Sequence, residues 1–245
     1  MNEISKETAP GEYREHAFTE EEFVLVKESE RLEVQMQYPI LGMRHAECDC
    51  LLRKSVYERL VLAASYLPEG MKLRIWDAWR PFALQRELYE SYAAQLIREF
   101  NLEGLSEREK ETRIATYVSL PVEDADFPPV HTTGGAVDVT LIDEKGQELD
   151  MGTAFDEFSE ATETAFFENG SNPVVRDNRR LLYHVMKKAG FTNLPSEWWH
   201  YDFGERFWAF YKEQPAKYRG VFTREEIYEE TDEKSRIQSG NTKKN

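Results

Sequence analysis

The stretch HTTGGAVDVTLID, residues 131–143, constrains the fold more than any other part of the chain. Val137, Val139 and Leu141 alternate with Ala136, Asp138 and Thr140, so a strand places the first set on one face and the second on the other. The apolar face belongs against a core. The opposite face is small and polar, and Gly134-Gly135 supplies a turn that folds His131 back over it. A carboxylate inside an otherwise buried strand needs a partner. Spacing alone leaves two readings open. Either His131 and Asp138 converge as ligands of a cation such as zinc, or Asp138 hydrogen-bonds a loop while His131 faces solvent.

The rest of the chain bounds the answer. At 245 residues, with 40% apolar residues and 5 Trp, 12 Tyr and 14 Phe, it can bury a sizeable core. A formal charge of −15 argues against nucleic acid and anionic membrane surfaces as partners, since both repel it at long range. There is no apolar run of bilayer-spanning length, and the polar opening MNEISKETAPGEYREH lacks the apolar region of a secretory signal, so a cytoplasmic location is expected. Residues 1–22 and 223–245 read as polar segments with little to bury, the second as a mobile tail, leaving a single domain over 23–222.

Within that domain, helical spacing runs over 55–67 until Pro68-Glu69-Gly70 stops it. Residues 71–77 (MKLRIWD) alternate as a strand, and Pro81 opens a helix to about Phe100. Ser106 and Glu109 form a capping box for a further helix that ends before Pro121. Asn172-Pro173 opens another, with the stripe Leu181, Leu182, Val185, Met186 and Ala189, closed by Gly190. Strands separated by helices without regular βαβ spacing predict an α+β fold.

Three other segments carry chemistry. In EWWHY, residues 197–201, Glu197 and His200 share a face only if the chain turns there; taken alone, the segment reads as aromatic core. In WDAWRP, residues 76–81, Arg80 sits where a strand hands over to a helix and can pair with Asp77, stack on Trp79, or hold the oxygen of a tetrahedral intermediate. In HAECDC, His45, Cys48 and Cys50 have metal-ligand character, but no second pair completes a four-ligand structural site, so two reduced cysteines near a helix start are the preferred reading. His16 falls in the N-terminal segment, and His184 beside the helical stripe reads as a packing or surface residue.

Taken together, WDAWRP, HTTGGAVDVTL, DMGTAFD (150–156) and EWWHY, in that order from about Tyr38 to Phe210, resemble the D-alanyl-D-alanine dipeptidases of the VanX type, zinc peptidases of the D-Ala-D-Ala metallopeptidase group. The resemblance implies an α+β fold with a central antiparallel sheet flanked by helices, as in D,D-peptidases and hedgehog signalling domains. It implies one zinc ion held by His131, Asp138 and His200, with a fourth position left to water. It makes Glu197 the general base, Arg80 the stabiliser of the tetrahedral intermediate, Asp156 the receptor of the substrate's free ammonium group, and a small dipeptide the substrate. The family pattern often has a serine two residues before the first histidine; here that residue is Pro129, which has neither a hydroxyl nor a backbone N–H. Two other readings fit part of the pattern. A D,D-carboxypeptidase or endopeptidase acting on murein stem peptides is disfavoured by Asp156 and by the lack of an export signal. A non-catalytic zinc-containing binding module has no use for Glu197 and Arg80.

Overall fold

The computed structural model describes residues 1–115, 121–170 and 172–229. Its elements are strands β1 (Phe23–Leu25) and β2 (Leu32–Val34), helix α1 (Gln37–Ile40), strand β3 (Leu51–Arg53), helix α2 (Lys54–Ser65), strand β4 (Lys72–Asp77), helices α3 (Phe82–Glu99) and α4 (Glu107–Ile114), strand β5 (Ala136–Ile142), helix α5 (Pro173–Lys188), strands β6 (Thr192–Asn193) and β7 (His200–Asp202), and helix α6 (Arg206–Lys212). β1 and β3 form a small antiparallel ribbon, and the other five strands form one sheet in the order β2-β4-β5-β7-β6. The fold is α+β, as the sequence implies. Three of the four strand pairs in the main sheet are antiparallel; at one edge, β2 runs parallel to β4.

The capping signals act where the sequence places them. The Asn172 side chain accepts the Val175 N–H at the start of α5, and the Ser106 backbone N–H and hydroxyl both donate to Glu109 at the start of α4. Residues 116–120, which precede Pro121, lie outside the described residues.

The alternation of residues 136–142 becomes the middle of the sheet. Val137, Val139 and Leu141 are fully buried and cluster with Leu73 and Ile75 of β4, with Val56 and Leu60 of α2, and with Leu182 and Met186 of α5. Burying each such side chain contributes about 1.5–3 kcal/mol, so this face accounts for much of the fold's stability. The other face of β5 is also buried, but it carries Asp138 and Thr140.

Register decides what Asp138 meets. It lies directly opposite His200 on β7 and opposite Asp77 on β4. The second pairing depends on a bulge. Ile75 pairs with Val139 and Asp77 with Asp138, so β4 spends two residues where β5 spends one. In a regular strand Asp77 would follow Ile75 onto the apolar face. The extra residue, Trp76, turns it to the polar one.

The N-terminal segment packs more closely than its polar composition suggests. Ile4 is buried, its N–H donates to Glu168, and Glu7 accepts from Tyr183 and Lys187 of α5. The Asn2 carbonyl contacts the His184 ring, and Tyr211 of α6 donates to the Thr8 carbonyl. His16 bridges to Ala216. One aliphatic anchor and a ladder of polar contacts hold a segment whose composition suggests nothing to bury. At the other end, residues 224–229 are helical and Ile227 packs with Leu51, Trp79 and Val221; residues 230–245 lie outside the described residues.

The Gly134-Gly135 turn is sterically required. Gly134 has φ +70°, and a Cβ on Gly135 would sit 2.7 Å from the Phe203 carbonyl oxygen just past β7. Gly135→Ala is expected to push β5 and β7 apart and cost about 1–3 kcal/mol, measured as a lower urea midpoint. An unchanged midpoint would show that the two strands tolerate separation.

Candidate active site

Four elements deliver the site. A 3-10 turn, Val130–Thr133, carries His131; β5 carries Asp138; β7 carries His200; and the bulged end of β4 leads into Arg80. All four side chains are buried. His131 Nε2 lies 3.1 Å from His200 Nδ1, which lies 3.0 Å from Asp138 Oδ1, and Asp138 Oδ1 lies 3.5 Å from His131 Nε2. Among the described residues these three form the one group of His, Cys, Asp or Glu with ligand atoms close enough to hold a metal ion. The His45 cluster does not gather: His45 Nδ1 contacts Glu87 at 2.9 Å, and Cys48 and Cys50 are free, the first exposed and the second buried.

The histidines' other nitrogens show which lone pairs face inward. His131 Nδ1 lies 2.8 Å from the Ala78 carbonyl, an acceptor only, so it carries the proton and leaves Nε2 bare. His200 Nε2 lies 2.8 Å from Asp202 Oδ1, which leaves Nδ1 to face Asp138. Two imidazole nitrogens and a carboxylate oxygen thus meet out of solvent, an arrangement that requires positive charge at its centre, supplied by a proton on His200 or by a cation that displaces it. Burial disfavours a charged imidazole, yet the carboxylates of Asp202 and Asp138 outweigh it and hold His200 well above the ordinary histidine range. Burial also works to raise Asp138, but the two histidines prevail and hold it well below the usual carboxylate range. The spacing suits zinc, because ligands bound tetrahedrally at about 2.0–2.1 Å lie about 3.3 Å from one another. The donor set and its tautomers fit that ion.

Arg80 lies at the edge of this cluster. Its Nε and Nη2 donate to Asp77, Nη1 to Gln85, and Nη2 also to the Tyr38 hydroxyl, while Asp138 Oδ2 is 3.9 Å away. Of the alternatives open in the sequence, it pairs with Asp77 and lies over Tyr38, not Trp79. Asp77 also lies 3.3 Å from His131 Nδ1, so one buried carboxylate orients both groups.

Glu197 reaches the site through a turn: the His200 N–H donates to the Glu197 carbonyl, and the Asn193 side chain donates to the carbonyls of both. Its carboxylate approaches His200 Nδ1 to 3.9 Å and keeps 30% of its exposure. Burial raises its pKa to about 7, against the pull of His200. Trp198 and Trp199, between these residues, are buried in the core, so EWWHY serves both purposes. Asp156 adopts φ +55°, and its Oδ2 accepts from Tyr92 at 2.6 Å and from Tyr38 at 2.8 Å. Its Oδ1 has no hydrogen-bond partner among the described residues.

One cavity of about 290 Å³ joins these groups, lined by His131, Asp138, His200, Glu197, Arg80 and Asp156. Pro129 forms part of its wall, as do Ala9 and Pro10 of the N-terminal segment. Sequence reasoning missed Tyr38, Tyr92, Asn193 and Asp202, and weighed Asp77 only as a partner for Arg80. Asp202 was findable, since positions 200 and 202 of one strand share a face. The tyrosines were not, because each is brought in by a separate helix.

Removing the carboxylate behind His200 tests the donor geometry. Asp202→Ala is expected to weaken zinc binding about 10–100-fold in a chelator competition. Wild-type affinity would mean that Nδ1 needs no such support.

Residues 40–219 match the D-ala-D-ala dipeptidase family model, which is most of the chain. A D-alanyl-D-alanine dipeptidase of Synechocystis is 31% identical over 176 residues, covering 65% of this chain and 71% of that protein. Its counterpart in Escherichia coli is 29% identical, covering 70% and 78%. Among solved structures, VanYB in complex with D-alanine-D-alanine aligns with TM-score 0.41 at 14% identity, over 71% of this chain and 84% of that one. No helix of the described residues is long and apolar enough to cross a membrane. On the strength of the family match, the chain belongs to the D-Ala-D-Ala dipeptidase family and is a metallopeptidase.

Proposed function

We propose that this protein hydrolyses D-alanyl-D-alanine, or a close D-configured dipeptide, with zinc held by His131, Asp138 and His200. The observation that carries the reading is the convergence of two imidazole nitrogens and a carboxylate oxygen, with Glu197 and Arg80 on the same cavity. When bound there, zinc supplies Lewis acidity, which polarises a carbonyl and brings the pKa of a coordinated water to about 7.

The chain's own groups do the rest. Glu197 accepts the proton of the attacking water and passes it to the leaving amine; burial keeps its affinity for that proton high enough for both tasks. Arg80, anchored on Asp77 and Gln85, is held in place without reorganisation to face developing negative charge, a contribution of about 3 kcal/mol for one such donor. Asp156 uses its free Oδ1 to receive the substrate ammonium, while Tyr38 and Tyr92 fix Oδ2. The similar proteins of Synechocystis and Escherichia coli, both D-alanyl-D-alanine dipeptidases, support the same substrate. Pro129 removes the hydroxyl that many of the family offer to the substrate amine, so Asp156 carries that contact without it. The two free cysteines fit action in a reducing compartment such as the cytoplasm.

The decisive experiment is hydrolysis of D,D-, L,D- and L,L-dipeptides and of an N-acylated tripeptide, with and without chelator. Chelator-sensitive cleavage of free D-Ala-D-Ala above the rest is expected; preference for the acylated tripeptide would point to a carboxypeptidase. Glu197→Ala is expected to lower kcat at least about 100-fold while zinc content stays at one per chain, and retained turnover would remove it as the base. The base works only when ionised, so kcat/KM falls as pH drops through its pKa. A bound cation lowers that value from about 7, placing the acid limb at or below 7.

A further inference from the structure

A dipeptide with both ends free is a zwitterion, and Asp156 answers only one of its charges. On the dipeptidase reading, the other charge calls for a cation on the same cavity. Apart from the two histidines, the positively charged residues lining it are Arg80 and Arg206. Arg80 is already engaged by Asp77, Gln85 and Tyr38.

Arg206 is differently placed. It opens α6, and its Nε donates to the Pro128 carbonyl at 3.1 Å, next to Pro129 on the cavity wall. Its guanidinium lies over the rings of Phe207 at 4.2 Å and Phe127 at 4.7 Å. Among the described residues, Nη1 and Nη2 have no hydrogen-bond acceptor and Arg206 forms no ion pair. The nearby acids are committed elsewhere: Glu205 caps α6 through the Phe207 and Trp208 N–H groups, Asp202 holds His200, and Glu12 pairs with Arg14. Burial lowers its pKa despite those acids, the sign of a charge short of compensation. One carbonyl and two aromatic faces thus hold the fork still and leave its outer N–H groups for an anion, the geometry that binds a carboxylate bidentately.

We propose that Arg206 receives the C-terminal carboxylate of the substrate, and so makes the enzyme selective for peptides whose second residue is the last.

The test compares zinc-loaded wild type, Arg206→Met and Arg206→Lys on D-Ala-D-Ala and on its C-terminal amide. Wild type is expected to favour the free acid. Arg206→Met should raise KM for the acid about 10–100-fold, leave kcat/KM for the amide within about threefold, and so abolish the preference; Arg206→Lys should restore part of it. An equal loss on both substrates, or no loss on the acid, would overturn the proposal, the first by showing a structural role through Pro128. Should Arg206→Met lose its zinc, Arg206→Lys decides: a KM increase confined to the acid supports the proposal, and parallel losses reject it. Failure of the zinc-loaded wild type to cleave either peptide would instead remove the dipeptidase reading, and this inference with it.

Discussion

Everything in this molecule's centre follows from three electron-pair donors that face one another out of water. Two imidazole nitrogens and a carboxylate oxygen 3.0–3.5 Å apart, with no solvent between them, need a positive charge at their centre, either a proton on His200 or a bound cation. The protein holds them there by controlling their outer sides. The Ala78 carbonyl takes the proton of one ring and Asp202 that of the other, so neither ring can rotate its lone pair away without orphaning a buried N–H. The hydrogen-bonded frame of the sheet keeps them together, since cross-strand pairing places Asp138 and His200 opposite each other.

The same frame supplies the support. Asp77, Asp138 and His200 form a row across three adjacent strands, and the bulge at Trp76 is what admits the first of them. From that position Asp77 grips both Arg80 and His131, and Arg80 lies 3.9 Å from the outer oxygen of Asp138. Trp76 packs its ring against Phe155 and Trp198, which filled space fixes the register irregularity in place. A packing residue thus determines the position of a charged one.

How much of this is legible in the sequence varies with the range of the interaction. The alternation around Asp138, the caps at Ser106 and Asn172, and the strand 71–77 depend on neighbours a few residues away, and they are where local chemistry puts them. The nearness of His131, Asp138, Glu197 and His200 came from motif resemblance and not from periodicity; spacing left His131 open and favoured plain core for EWWHY. The parallel edge strand β2, the bulge at Trp76 and the tyrosines on Asp156 were not readable, since each depends on contacts distant in the chain. The N-terminal segment misled for the same reason. Its composition is that of a tail, and only the presence of Glu168, Tyr183 and Tyr211 at the surface it crosses makes it structure.

That segment bears on how the molecule is made. Residues 1–10 leave the ribosome well before the groups that anchor them, Glu163, Glu168, Tyr183, Lys187 and Tyr211. Because Ala9 and Pro10 line the cavity, its wall is finished only once the chain has been synthesised past α6 and an early segment has closed over late ones. The enclosure of the cavity is therefore a contact between segments far apart in the chain and cannot form from either alone.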